Sequence, residues 1–422
     1  MFENLIDQPA SRLLMEDIHS SRLPPSMLFS GDRASGKLSA ALELARILSC
    51  SVGTALWTCT CPACQRHKEL THSDLVIMGT RECAPEIRAA AAALVRSKNT
   101  AARYLFIRAI RKLVLRFDAS LQDTEDSRFS KAASYLADIE ERLEEFHPSR
   151  ELPVDNEALA KAVEQLTVKA EKLEEDCLYD SIPVSQVRQA AVWARLSPNG
   201  RCKVLIIENA DRMQDSARNA FLKVLEEPPP HVVFVLTTSR RGAIMPTILS
   251  RVRTYAFVDR SQASQHDVIR RVFHDTPRDG EYLYSYFNRF LPVPPEILTH
   301  TTVLFVSGVL NAAIDEGRKP LSSLRAALVA TCALPQGESA SAAEIVSRLN
   351  RCKPLAVWQL FLAGITRLMR DALRSGEADA REITVFTAWT KTIRDAQEAV
   401  ETYNISPVSV LERLAESLKE TL

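Results

Sequence analysis

Glycine is scarce in this chain, at 12 of 422 residues, and aromatic side chains make up only 6%. That composition argues against a fold built on many glycine-marked turns and aromatic-rich strands. Ala, Leu, Glu and Arg dominate, and these favour helices. Neither sign of charge is in excess, with 53 Lys+Arg against 53 Asp+Glu. A protein that grips nucleic acid over its whole surface is basic, so any DNA contact here is confined to a local patch. The sequence shows no uninterrupted apolar run approaching the roughly 18 residues of a membrane span. The opening segment MFENLIDQPASRLLMEDIHS carries acids early and lacks an apolar core followed by a cleavage site, unlike a secretory signal. The nine cysteines are an odd number, unevenly spread. Cys50, Cys59, Cys61 and Cys64 crowd together, while Cys83, Cys177, Cys202, Cys332 and Cys352 stand apart. This excludes a disulfide framework and points to a metal site in a reducing, cytoplasmic compartment.

Hydrophobic residues at 46% and charged residues at 25% are ordinary for a globular chain. The length predicts two to four domains. The run MLFS (27–30) reads as a strand, followed by a turn and a helix in which Ala40, Leu42, Leu44, Ala45 and Leu48 recur at helical spacing. DLVIM (74–78), KVLIIE (203–208) and HVVFVLTTS (231–239) read as further strands. Continuous apolar runs of this kind mark buried parallel strands. Residues 184–195 and DSARNAFLKVLEE (215–227) read as helices, the second stopped by Pro228, Pro229 and Pro230. Alternating strands and helices make a parallel α/β core.

Residues 83–180 interrupt this core with almost no strand signal. Leu136, Ile139, Leu143 and Phe146 form one stripe. Leu159, Val163, Leu166, Ala170 and Leu173 form another, across the proline-bearing HPSRELPVDN. The pair predicts an antiparallel helical hairpin. Before it, 95–117 reads as one helix carrying Arg96, Lys98, Arg103, Arg108, Arg111, Lys112 and Arg116, a surface for DNA phosphates or a solvated face. After about 258 the strand signals stop. Residues 259–315 read as a small helical unit and 316–422 as a nearly all-helical domain.

Three motifs carry chemistry. Gly31-Asp32-Arg33-Ala34-Ser35-Gly36-Lys37-Leu38 nearly matches the phosphate loop G-x-x-x-x-G-K-[ST]. In such a loop, backbone N–H groups and a helix N-terminus meet phosphate oxygens, and Lys37 would reach the β and γ phosphates of ATP. Leu38 has no oxygen for Mg²⁺, and Ser39 comes one residue late. The bland alternative is a tight strand-to-helix turn. Next, KVLIIENAD ends its strand with Glu208-Asn209, where phosphate-loop ATPases hold a metal-binding acid and a second acid that positions water. Asn209 cannot accept a proton, and both residues serve equally well as loop and cap residues. Finally, Cys50, Cys59, Cys61 and Cys64 can enclose Zn²⁺ as four thiolates. The one-residue gap between Cys59 and Cys61 is tighter than the usual knuckle, which leaves His67 or His72 as substitute ligands. The bland alternative is a set of small buried hydrophobes.

On these residues the chain resembles the bacterial clamp-loader subunits of DNA polymerase III, of the AAA+ class. It is most similar to the delta-prime type, with gamma/tau as the sister type. The resemblance rests on ordered pieces: the phosphate loop, the four-cysteine module, Thr71-His72-Ser73-Asp74, and IPVSQVR (182–188). It continues through KVLIIENAD, Asn219 to Pro229 (NAFLKVLEEPP), Leu236-Thr237-Thr238 and Ile248-Leu249-Ser250-Arg251-Val252. It covers roughly 5–82 and 181–257. The family's Ser-Arg-Cys appears here as Ser250-Arg251-Val252, the cysteine spacing is one residue short, and 83–180 has no counterpart in the family pattern.

The resemblance implies an AAA+ core over 1–258, with a zinc module at about 50–67 and a helical insert at about 83–180. It also implies a helical lid over 259–315 and a helical collar over 316–422. It implies a subunit of a hetero-pentamer with gamma/tau and delta, which loads the sliding clamp on primed DNA in the cytoplasm, away from membranes. Gly31, Gly36, Lys37, Glu208 and Thr238 are the implied nucleotide-site positions, Thr238 being the family's γ-phosphate sensor or simply a strand-end threonine. Leu38 and Asn209 match the type that does not hydrolyse ATP; the alternative is an active gamma/tau-type ATPase. Arg251, with no acidic partner close in sequence, is the implied arginine finger for a neighbour's ATP site, or else a surface ion pair. From another class, a stand-alone zinc-bearing nucleic-acid-binding protein is disfavoured by the zero net charge.

Overall fold

The computed structural model describes every residue except 81, 124–125, 333–339, 353–354, 377 and 404. The chain divides into two compact units, Met1–Phe290 and Leu291–Leu422.

The first unit is built on a five-stranded parallel sheet. Its strands are β1 (Ser26–Gly31), β2 (Leu75–Gly79), β3 (Lys203–Glu208), β4 (Val232–Thr238) and β5 (Arg253–Phe257), in the spatial order β2-β3-β4-β1-β5. All four pairings are parallel. The alternation of side chains along each strand feeds two cores. Met27, Phe29, Ile77, Val204, Ile206, Val235 and Tyr255 point to one face, where Ala10, Leu14, Leu38 and Leu44 of the helices Pro9–His19 and Lys37–Ser49 join them. Leu28, Val76, Met78, Leu205, Ile207, Phe234 and Leu236 point to the other, against Val187, Trp193 and Phe221 of the helices Val184–Arg195 and Asp215–Glu226. β5 is the strand the sequence reading does not mark. It is an edge strand with exposed Arg253 and Ala256, so it lacks the continuous apolar run of a central strand.

The described residues of 84–177 include four α-helices packed around one core. The expected hairpin is present as Ser127–Glu145 and Asn156–Cys177, with Ile139, Leu143, Leu159, Val163, Leu166, Ala170 and Leu173 buried. The single helix expected over 95–117 is instead broken. One helix, Ala84–Ser97, stops at left-handed Lys98, and a second, Thr100–Val114, starts under an Asn99 cap whose side chain accepts from the Ala102 amide at 2.8 Å. The cue was Ser97-Lys98-Asn99-Thr100, a polar run with a strong N-cap residue inside an otherwise helical pattern.

Among the described residues the second unit is helical, with the helices Pro295–Asp315, Ser322–Thr331, Ala342–Arg348, Leu355–Arg374, Ala380–Glu401 and Pro407–Glu420. Its core centres on Trp358, Phe361 and Trp389, the last with its indole donating to the Leu418 carbonyl at 3.1 Å and Thr421 Oγ1 at 2.9 Å. The helix Pro295–Asp315 corrects one expectation, being long and apolar enough to cross a membrane by length and composition. Half of its most apolar window is buried inside the protein, and Val303, Val306, Val309 and Leu310 pack in the second core, so that hydropathy belongs to a core helix. The sequence reading assigns this helix to the segment 259–315. The unit boundary separates it from the helices Gln262–Val272 and Leu283–Asn288.

Candidate functional site

The loop between β1 and the helix Lys37–Ser49 has the shape the sequence predicts. A Cβ on Gly31 would fall 2.0 Å from the Phe257 carbonyl, so only glycine lets β1 and β5 close. Gly36 is left-handed, at φ +95°, and precedes the helix. Arg260 lies over the loop, donating to the Ala34 carbonyl at 3.0 Å and the Ile6 carbonyl at 2.7 Å. The Lys37 ammonium turns back on the loop itself, 2.6 Å from the Gly31 carbonyl, 2.5 Å from that of Asp32 and 3.2 Å from Ser35 Oγ. Leu38 is buried in the same apolar cluster as Phe2, Leu5 and Phe257. The position that would offer a hydroxyl to Mg²⁺ is part of the core instead.

Across the sheet, Glu208 closes β3 and Asn209 follows it in a left-handed conformation at φ +51°. Glu208 is buried in an ion pair with Arg116, itself buried just beyond the helix Thr100–Val114. Thr238 Oγ1 donates to Asp211 Oδ1 at 2.6 Å and accepts from the Arg240 amide at 2.9 Å, so it caps the turn after β4.

The four cysteines converge. Their sulfurs all lie within 4.8 Å of one another, with Cys50 and Cys59 at 3.9 Å. Zinc–sulfur bonds of about 2.3 Å place tetrahedral sulfurs about 3.8 Å apart, so the cluster could hold a zinc ion with small adjustments. Cys50 follows the last residue of the helix Lys37–Ser49. Cys61 caps the helix Pro62–Glu69, its sulfur accepting from the Cys64 amide at 3.5 Å. All four thiols are free. Burial opposes the thiolate at Cys61, but hydrogen bonds from Ser51 and the Cys64 amide outweigh it and hold that thiol below its ordinary range. Burial pushes the Cys64 thiol up. Burial opposes the Cys50 thiolate as well, but hydrogen bonds from the backbone of Gly53, Ala55 and Val52 hold that thiol below its ordinary range. A cation bound among the four sulfurs displaces the protons that remain. Neither histidine joins the sulfurs. His67 shares a hydrogen bond with Ser49 Oγ at 2.8 Å and stacks on His72 with ring centroids 4.2 Å apart. Burial, reinforced by His72 and Arg108, holds the His67 imidazole neutral, far below its usual pKa.

Comparison with known proteins then assigns the family. A family model described as DNA polymerase III, delta subunit, matches residues 6–128 and 139–261. The chain belongs to this family. Curated relatives include a DNA polymerase III subunit gamma/tau from Mycobacterium bovis, 35% identical over 72 residues, 17% of this chain and 12% of that protein. Another is a DNA polymerase III subunit delta' from Haemophilus influenzae, 37% identical over 76 residues, 18% of this chain and 23% of that protein. The chain thus matches only a minor part of each relative's length. A solved structure of a DNA polymerase III gamma subunit-related protein from Thermotoga maritima aligns over 97% of this chain and 98% of that one. Its TM-score is 0.35 and its identity 14%, too loose a likeness to build on. The DNA polymerase III delta-family match also runs through most of 83–180, leaving out 129–138, so that segment is less foreign to the family than its sequence suggests.

In this delta-family chain the basic side chains of 95–117 are engaged by other parts of the molecule, with Arg103, Arg111, Lys112 and Arg116 buried and Arg96 and Lys98 exposed. Arg96 donates to the Phe273 and His274 carbonyls, and Lys98 to Asn156. Arg103 binds the carbonyls of Phe146, His147 and Arg150, tying the end of one hairpin helix. Arg108 takes the His67 and Lys68 carbonyls at 3.1 and 2.5 Å, and Arg111 takes that of Glu69 at 2.9 Å. Together they cap the C-terminus of the helix Pro62–Glu69, where cations are favoured. Lys112 pairs with Glu86 and Arg116 with Glu208. Of the two readings of this segment, the solvated face describes Arg96 and Lys98, and neither reading describes the contacts of Arg103 to Arg116. The charges brace the cysteine module and the β3 end.

Arg251 has an acidic partner that sequence distance hid. Its Nη2 lies 2.8 Å from Glu226 Oε1, at the end of NAFLKVLEEPP, and its Nη1 donates to the Thr247 carbonyl at 2.8 Å. Sequence reasoning missed Arg116 as the Glu208 partner and Arg46 beside the sulfurs. The signals were there: Arg108, Lys112 and Arg116 repeat at four-residue spacing, and Glu43 and Arg46 are the charged residues of the helix Lys37–Ser49 beyond its first residue. The Glu208–Arg116 pair yields a direct expectation. Glu208→Ala leaves the Arg116 charge buried without its carboxylate and should lower the unfolding free energy by about 3–5 kcal/mol. Urea titration measures this, and a loss below about 1 kcal/mol would mean that the pair does not tie 84–117 to the sheet.

Proposed function

We propose that this protein is a structural, non-hydrolysing AAA+ subunit of the DNA polymerase III clamp loader, of the delta-prime type. It works in a hetero-pentamer with gamma/tau and delta subunits, held together through the helical segment 316–422 as a collar, with 259–315 as a lid. The assembly opens the sliding clamp and places it on primed DNA. In this reading the cysteine cluster is a structural zinc site, and Arg251 is an arginine finger presented to the ATP site of a neighbouring, active subunit.

One observation carries the assignment of type: Leu38 is packed in the core at the position where a metal-binding hydroxyl is needed. The rest of the site points the same way. Lys37 rests on its own loop, Glu208 is paired with a guanidinium, and Asn209 cannot act as a base. Phosphoryl transfer needs the metal to neutralise charge on the β and γ phosphates and an oriented water. Leu38 supplies no metal-binding hydroxyl, and Asn209 no acid to orient the water. The gamma/tau alternative requires both.

The isolated chain should show no ATP turnover above background. The comparison that matters is with Lys37→Ala: turnover that disappears in that variant would refute the non-hydrolysing reading and favour the gamma/tau type. Metal analysis should find about one Zn²⁺ per chain, and co-purification should return other DNA polymerase III subunits.

A further inference from the structure

Arg46 lies in the last turn of the helix Lys37–Ser49, the residue's exposure only 1%. A guanidinium carries five N–H donors in a planar fork, and here five acceptors surround it. Nε donates to Glu43 Oε2 at 2.9 Å, and Nη2 to Glu43 Oε1 at 2.5 Å. Nη2 also donates to the Ala55 carbonyl at 2.8 Å. Nη1 donates to the Leu56 carbonyl at 3.0 Å and to Cys64 Sγ at 3.4 Å. The Trp57 ring centroid lies 5.4 Å from the guanidinium carbon. The Lys68 ammonium sits 5.5 Å from the same ring and donates to the Cys59 carbonyl at 2.8 Å.

We propose that Arg46 is the positioning residue of the cysteine cluster, setting the geometry and affinity with which the four sulfurs bind a metal ion. This rests on the reading of the cluster as a zinc site. The side chain grips the chain on both sides of Cys59. It fixes the carbonyls of residues 55 and 56 ahead of that cysteine and the sulfur of Cys64 beyond it. Ala55 is buried and left-handed at φ +46°, a conformation unfavourable for a residue with a Cβ, and the hydrogen bond to its carbonyl helps hold it there. Glu43 neutralises the buried cation through both carboxylate oxygens, so the guanidinium can reach the sulfur without an uncompensated charge. Four thiolates around a dication carry net negative charge, which a hydrogen bond to a ligating sulfur disperses. Lysine, a point charge with three donors, cannot serve two carbonyls, a sulfur and both carboxylate oxygens in one plane.

The contrary possibility is that Arg46 only packs the loop and leaves metal binding untouched. Arg46→Met and Arg46→Lys in the full chain separate the two. Zinc affinity is measured by competition with a chromophoric chelator, the helical circular dichroism is followed at saturating zinc, and the thiolate-to-metal charge-transfer band is recorded after substitution with Co²⁺. Loss of a hydrogen bond to a ligand should weaken zinc binding about 10–100-fold in both variants, with the far-ultraviolet spectrum unchanged at saturation and the Co²⁺ band displaced. An affinity within twofold of the parent protein overturns the proposal while leaving the zinc reading intact. A parent protein that binds no zinc overturns both. If the Arg46 variants do not fold, Glu43→Gln, which keeps the guanidinium but loosens its seating, should shift affinity in the same direction by a smaller factor. An unchanged affinity there would equally overturn the proposal.

Discussion

With Arg251 as the proposed arginine finger, its replacement by alanine in a reconstituted clamp loader is expected to leave assembly intact and to slow ATP hydrolysis at the neighbouring site by about 10³–10⁵-fold. A guanidinium is planar, permanently charged and matched to phosphate oxygens, and a finger supplied from a neighbour acts on charge that develops in the transition state. In the isolated chain Arg251 is held by Glu226 at 2.8 Å, with the arginine side chain 33% and the glutamate side chain 52% exposed. Ion pairs this exposed are worth about 0–1 kcal/mol, so the contact orients the side chain without preventing its transfer to a triphosphate. Total turnover would fall only by the share of that site, while clamp loading, which needs the sites to act together, should fall further. Arg251→Lys keeps the charge but not the fork and should recover little. Unchanged hydrolysis and unchanged loading in an intact Arg251→Ala complex would reduce the residue to its surface ion pair with Glu226.

The parts of the fold legible in the sequence are those where one physical signal dominates. MLFS, KVLIIE and HVVFVLTTS are covered on both faces by helices, so each carries an unbroken apolar run, and they form β1, β3 and β4. The stripes from Leu136 and Leu159 pack on each other and on the preceding helices, and they form the expected hairpin. β5 escaped because an edge strand is half exposed. The break at Lys98 escaped because the apolar periodicity resumes after it almost in phase. The cysteine set was legible because four thiols so close in sequence have few other uses, and the structure brings together all four and neither histidine. What the sequence could not supply was pairing across distance. Arg116 meets Glu208 across 92 positions and Arg251 meets Glu226 across 25. A charged residue has the same appearance in a sequence whether it faces solvent, DNA or a buried carboxylate. The phosphate loop lies between these cases: its glycines and lysine announced the turn, but only packing shows Leu38 in the core and Lys37 folded onto its own carbonyls.

Cys64→Ala is expected to abolish stoichiometric zinc binding and to lower the melting temperature of the zinc-loaded protein by roughly 8–16 °C. The figure follows from linkage. A metal present at about a thousand times its dissociation constant stabilises the folded state by about 4 kcal/mol, and each kcal/mol shifts the midpoint of a domain of this size class by about 2–4 °C. Cys64 is the most deeply buried of the four thiols and the one that Arg46 touches. Its removal therefore takes away a proposed zinc ligand and leaves an N–H of Arg46 without its sulfur, and the second effect alone would also destabilise. Chelation of the unaltered protein distinguishes them, because it removes the metal and leaves every side chain in place. If zinc supplies the stability, chelated protein should melt close to Cys64→Ala, and added Zn²⁺ should restore the parent protein and not the variant. If the parent protein melts at the same temperature with and without zinc, the drop in Cys64→Ala belongs to packing around Arg46, and the four sulfurs are not a structural metal site.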